Sequence, residues 1–243
     1  MDDLTVHDVQ PDLRVVVTRE MPALPPALDA AVEALWRAAF ARVAAGGAGE
    51  LFNGRVFSAD VITPTTITGH LTEFRRIVAQ MEHPDMFDAL RVRPLAVCGV
   101  LYGPDGVVFG RRHAGAVYQA DMWQLPPAGS VDSHAVDADG VVLPGRQVLN
   151  ELREEVGLLP GDVEAPVPLC VVEHPGSHVS DLGMGLRCRF DGAAICEAHA
   201  RHGNGEYPTL RIVPLAELAA FVSDASDTMV APAPIFLRRV GLL

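Results

Sequence analysis

From Leu95 onward, short apolar runs of strand length are separated by stretches whose apolar residues recur at helical spacing, with Gly, Pro or Asp between them. Irregular alternation of this kind argues for a mixed sheet with helices packed on it, an α/β (α+β) fold class. Residues 95–102 read as an apolar strand, Gly103-Pro104-Asp105-Gly106 as a turn, and residues 107–111 as the hairpin partner. A loop through Trp123-Gln124-Leu125-Pro126-Pro127-Ala128-Gly129 leads to an insert containing Gly and Asp, then to a helix over residues 147–156. Strands are expected at 167–173, 185–190 and 209–213, and a last helix at 215–222.

Upstream, residues 13–18 form a β-branched run, and 27–43 carry Leu28, Val32, Leu35, Trp36 and Phe40 at helical spacing behind Pro25 and Pro26. Gly46, Gly47 and Gly49 break this helix. Leu51-Phe52-Asn53-Gly54 then turns the chain into strand-forming residues between 55 and 74, among them Val56, Phe57, Val61, Ile62 and Ile67. A length of 243 residues suits one domain with an appendage or two small ones. The composition places a small N-terminal α+β domain at residues 1–90 and a second domain at 91–243.

Several chemistries are excluded by what the chain lacks. All 19 basic residues are Arg, so a P-loop lysine, a Schiff-base lysine and a Ser-Lys dyad are ruled out together. Ser130 follows a glycine but stands in no G-x-S-x-G frame. Cys98, Cys170, Cys188 and Cys196 show no C-x-x-C pairing and read as buried free thiols. His174 and His178 lack a third nitrogen or sulfur ligand at fitting spacing. A net charge of -12 argues against a nucleic-acid partner, which demands clustered cations. No apolar run reaches membrane-spanning length. The start, with Asp2, Asp3 and Asp8, lacks the features of a signal peptide, so a cytoplasmic location is expected.

The strongest chemical signal is Glu151-Leu152-Arg153-Glu154-Glu155-Val156-Gly157-Leu158. Leu149, Leu152 and Val156 form a helical apolar stripe, and Glu154 and Glu155 follow Glu151 by three and four positions, on one side of the helix. Gly157 ends the helix, so Glu154 and Glu155 lie in its last turn, where the dipole disfavours negative charge. A solvated acidic face is one reading, because a like-charge helical pair costs only about 0.2–0.5 kcal/mol. A divalent cation among the carboxylates is the other. Oxygen-only ligands point to magnesium, with manganese as a substitute.

This stretch resembles the second half of the Nudix box, G-x5-E-x7-R-E-U-x-E-E-x-G-U with U apolar, and Leu125-Pro126-Pro127-Ala128-Gly129 resembles the loop that opens it. Two departures stand out. Gly129 and Asn150 are twenty-one positions apart where the pattern has fourteen, so about seven residues are inserted, and Val142 falls at the count of the middle glutamate. The box arginine is Asn150. An expanded box lacking the arginine, behind a Trp-bearing helix and Leu51-Phe52-Asn53-Gly54, is similar to the Nudix UDP-glucose pyrophosphatase type of animals. So are Arg187-Cys188-Arg189-Phe190 and His202-Gly203-Asn204-Gly205-Glu206.

The resemblance implies a Nudix α/β/α sandwich behind the N-terminal domain, and magnesium-dependent cleavage of a nucleoside diphosphate sugar to nucleoside monophosphate and sugar 1-phosphate. It implies Glu151, Glu154 and Glu155 as metal ligands with the backbone carbonyl of Ala128, and Glu154, Glu155 and Glu206 as catalytic residues. Arg111 and Arg112 are candidates to grip phosphate bidentately. Tyr118, Trp123 and Tyr207 are candidates to stack on a base. Two alternatives stand beside this: a nucleotide-binding module that does not cleave, and hydrolysis of another nucleoside diphosphate derivative. The partner is a small nucleotide in each case, and a homodimer through the N-terminal block is one arrangement the sequence leaves open.

Overall fold

β-Branched and apolar runs supply the strands, and their pairing sorts them into two sheets. The computed structural model describes residues 4–46, 51–116 and 118–243, so Asp2, Asp3, Gly47 and Gly49 lie outside it. The first segment contains β1 (Thr5–Asp8), β2 (Arg14–Val17), α1 (Pro26–Gly46), β3 (Arg55–Ile62), β4 (Thr66–Glu73), α2 (Phe74–Glu82) and α3 (Phe87–Leu90). Next come β5 (Leu95–Gly103), β6 (Gly106–Arg111), β7 (Trp123–Gln124), β8 (Ala128–Ser130), β9 (Val141–Val142) and α4 (Pro144–Glu151), which runs into a π turn at Leu152–Val156. The chain closes with β10 (Val167–Glu173), β11 (Ser180–Arg187), α5 (Gly192–His202), β12 (Thr209–Val213), α6 (Leu215–Asp224) and α7 (Ala233–Arg239).

The larger sheet has the order β1-β10-β11-β5-β6-β12, with β7 beside β6 and β8 beside β5. Only β11 and β5 run parallel, so the sheet is mixed. The smaller sheet is β3-β4-β2-β9. Leu95, Val97 and Leu186 pack with Val148, Leu152 and Val156 of the acidic helix and Ile195 of α5. A second core joins Val100, Phe109 and Val172 to Leu218 and Phe221 of α6 and Phe236 of α7. The mixed α/β class expected from the sequence is therefore the one the chain adopts, with helices on both faces of the larger sheet.

Position 90/91 is crossed in both directions. β1 is an edge strand of the larger sheet, on β10, and β9 from the later segment pairs with β2 through Val15 and Val142. Val15, Phe57, Ala59 and Ile67 share a core with Leu95, Val97, Val148 and Leu152.

Two expected elements shift. The strand placed at 185–190 is β11, from Ser180 to Arg187, because the Asp191 side chain accepts the Ala194 N–H and commits the chain to α5 just beyond it. The acidic helix starts at Pro144, whose fixed φ suits a first turn, and its last turn is π rather than α. β1, α2, α3, α5 and α7 are not expected from the sequence pattern, nor are the short β7, β8 and β9, which fall in the expected loop and insert. Among the described residues no helix is long and apolar enough to cross a membrane.

Candidate active site

The acidic helix end, the proline loop before β8 and the loop after α5 meet at one cleft of about 670 Å³, within the range of small-molecule sites. Ala128, Gly129, Ser130, Glu151, Arg112 and Glu206 are among its lining residues. Gly129 fits directly against Glu151: a Cβ there would stand 2.1 Å from the Glu151 Oε1. The same oxygen accepts the Gln147 side-chain N–H at 2.7 Å. Gln147 lies one helical turn before Glu151, so α4 itself orients the carboxylate.

Glu155 is 1% exposed and reaches back to the proline loop, where its Oε2 accepts the Ala128 backbone N–H at 2.9 Å. Its Oε1 is buried with no hydrogen-bond partner among the described residues. Burial, followed by the nearby Glu206 and Glu151 charges, raises its pKa well above the ordinary carboxylate value, against the opposing pull of the Ala128 N–H and Arg112. Burial also pushes Glu151 up to about 7, with the Gln147 bond opposing and Glu154, Glu206 and Asp132 adding repulsion.

Glu154 goes elsewhere. A π turn holds more residues per turn than an α turn, so the residue three after Glu151 is carried further around the axis while the fourth stays alongside. The Glu154 side chain is 56% exposed and lies 3.8 Å from the Arg153 guanidinium. Its backbone carbonyl instead accepts the Asn204 N–H, tying the helix end to the Glu206 loop. Glu151 and Glu206 line the cleft and both raise the Glu155 pKa, while Glu154, which does not line it, still adds repulsion at Glu151. Among the described residues no three His, Cys, Asp or Glu side chains stand close enough together to hold a metal ion jointly.

The two arginines part company at the end of β6, Arg111 being its last residue and Arg112 the first beyond it. Arg112, 15% exposed, is 3.3 Å from Glu206 and donates to Gln124 Oε1 at 2.5 Å. Arg111 pairs with Asp121 at 2.9 Å and lies over Trp123, whose ring packs edge-on against Phe221. Arg111 and Trp123 are absent from the cleft lining. Tyr207 is wholly buried against Gly110, and its hydroxyl donates to Gln124 Oε1 at 3.1 Å, which leaves no ring face for a base. Tyr118 does line the cleft, as does the Ala128 residue whose N–H holds Glu155.

Sequence pattern alone does not single out Gln147, Gln124, Asp181 or the α2 residues Phe74 and Met81, of which all but Gln147 line the cleft. A weaker signal exists for two of them: Gln147 lies four positions before Glu151, and Asp181 is the lone charge in an apolar run. His174 and His178 do not act as a pair: His174 Nε2 meets Asp181 at 2.7 Å and His178 Nδ1 meets Glu173 at 2.9 Å.

No family model and no curated protein matches the chain. Solved structures resemble it at low identity. An Ap4A hydrolase of C. elegans aligns at 15% identity and a TM-score of 0.39, over 60% of this chain and 94% of that one. A Nudix-family hydrolase of Clostridium perfringens aligns at 15% and 0.37, over 53% and 85%. A bifunctional NMN adenylyltransferase/ADP ribose pyrophosphatase of Francisella tularensis, complexed with AMP and a manganese ion, aligns at 15% and 0.42, over 68% of this chain and 48% of that one. Likeness at this level says nothing of substrate or mechanism.

Proposed function

We propose that the chain is a magnesium-dependent pyrophosphohydrolase that cleaves a nucleoside diphosphate sugar, of the UDP-glucose kind, to a nucleoside monophosphate and a sugar 1-phosphate. The observation that carries this reading is the buried Glu155 Oε1, without a hydrogen-bond partner among the described residues, beside a cleft lined by Glu151, Glu206 and Arg112. Buried carboxylates that repel one another are stabilised together by one hard divalent cation, and oxygen ligands select magnesium or manganese. Glu151 and Glu155 would hold it, the Ala128 backbone carbonyl would be the further oxygen, and the exposed Glu154 would be limited to an outer role. When bound, such an ion neutralises the pyrophosphate and makes water a better nucleophile.

The protein's own groups supply the rest. Arg112 offers guanidinium N–H donors to phosphate oxygens, and its ion pair with Glu206 holds that carboxylate at the cleft wall. Glu206, at the cleft lining, would take the proton of an attacking water on a carboxylate oxygen. The two buried acids keep their orientation through Gln147 and the Ala128 N–H.

The test is turnover of UDP-, GDP-, ADP- and CDP-linked sugars with magnesium, with both products quantified. Release of both at rates at least about 100-fold above a Glu155→Gln control supports the reading. No release above that control overturns it. The outward Glu154 favours a second reading, a module that binds a nucleotide without cleaving it. Calorimetric binding of a nucleoside diphosphate sugar without turnover would select that reading.

A further inference from the structure

The cleft extends beyond Glu151 and Glu206 into a region of different chemistry. Strand register places Asp181 of β11 beside Ala96 of β5, and Ala96 beside Ser130 of β8, one row across the sheet that forms part of the cleft lining. Ala96 contributes only a methyl group, which keeps the middle of that row low.

Asp181 is the charged member of the row. Its Oδ2 meets His174 Nε2 at 2.7 Å, with the two side chains 18% and 7% exposed, while Oδ1 has no hydrogen-bond partner among the described residues. Tyr118 stands edge-on to His174 with ring centroids 6.2 Å apart, and its hydroxyl is 3.4 Å from Ser177 Oγ. Phe74 and Met81 of α2 and Val179 add apolar lining. A carboxylate repels phosphate, so this end of the cleft is unsuited to the pyrophosphate. An oriented acceptor among apolar and aromatic side chains suits a neutral ring that carries N–H or O–H donors.

We infer that Asp181, held by His174, is the specificity residue that accepts a hydrogen bond from the uncharged end of the substrate, either an N–H of the base or a hydroxyl of the sugar. A ring edge that offers only acceptors is refused, because the carboxylate and the ring would both lose water without gaining a partner. This inference rests on the proposed nucleoside diphosphate substrate, and it gives the N-terminal segment a part in recognition through α2.

The experiment measures kcat and KM of the full chain with magnesium on a grid of four bases with one sugar and several sugars with one base. Asp181→Asn replaces one acceptor by a donor. The expected result is a fall in kcat/KM of at least about tenfold, carried by KM, with the substrate ranking changed along one axis. A change along the base axis identifies an N–H of the base, and one along the sugar axis a hydroxyl. Values within about twofold of wild type on every substrate overturn the inference.

His174 is a positioning residue. His174→Gln, whose amide still donates, keeps the wild-type ranking, and His174→Ala alters it as Asp181→Asn does. Equal rankings in both His174 variants overturn that role. If wild type turns over nothing on the grid, the hydrolase reading fails and calorimetry with the same compounds, without metal, decides Asp181 alone. A Kd weakened at least about tenfold in Asp181→Asn supports the subsite, and an unchanged Kd or no binding to wild type overturns it.

Discussion

The carboxylate of Glu151 lies against the bare α-carbon of Gly129, so that a methyl group there would stand 2.1 Å from Oε1 and 2.4 Å from the carboxyl carbon. Gly129→Ala must therefore push Glu151 off its Gln147 bond. Misplacing a catalytic group by about 1 Å costs on the order of 100-fold in rate, and that is the loss of kcat/KM expected here. Gly145→Ala in the first turn of α4, where nothing lies within 4 Å of the added carbon, is the control and leaves activity unchanged. Comparing the two variants in one assay separates the contact from the loss of a glycine.

Stability should fall as pH rises when no divalent ion is present. Glu151 has its pKa raised by burial from 4.5 to about 7. A carboxyl whose folded pKa exceeds its unfolded value binds more protons in the folded state, so its full contribution is present below pH 4.5 and is lost as pH climbs to about 7. The shift corresponds to about 3 kcal/mol. Thermal melting in chelator across pH 4.5–8 reads it as a falling Tm, and Glu151→Gln should make the fall shallower, leaving the part that the buried Glu155 contributes.

Part of this site is legible in the sequence and part is not. The spacing of Glu151 and Glu155 and the glycine at 129 place the helix and its loop together without coordinates. The outward turn of Glu154 depends on a π turn that no residue type announces. Arg111 ends β6 and Arg112 is the first residue beyond it, and which of them faces the cleft depends on how β6 sits between β5 and β12. Asp181 joins His174 across a turn, and Tyr207 is buried by Gly110 from a strand far away in the chain. Contacts of that range are fixed by packing rather than by local pattern.

Tyr207 should behave as a core residue and not as a platform for a base. Tyr207→Phe removes the hydroxyl from Gln124, whose Oε1 keeps its bond from Arg112, so the expected cost is about 1 kcal/mol. KM should stay within about twofold of wild type. Tyr207→Ala empties a fully buried site, with an expected loss of about 3–5 kcal/mol. Denaturant melts alongside KM measurements check both, and a large KM effect in the Phe variant would return the ring to the substrate.

The two neighbouring acids at the helix end should differ sharply. Glu155 is buried with one oxygen that has no partner among the described residues, whereas Glu154 is exposed beside Arg153. Neutralising Glu155 takes a ligand from the proposed metal position, and Glu155→Gln should lower kcat/KM by at least about 100-fold. Glu154→Gln changes only an exposed pair worth about 0–1 kcal/mol, so kcat/KM should drop less than about tenfold. Magnesium titrations followed by Tm add an independent readout: the ion should raise the Tm of wild type and Glu154→Gln, and leave that of Glu155→Gln nearly unmoved. Equal losses in the two variants would mean that Glu154 swings inward when the site is filled, against the geometry the π turn imposes.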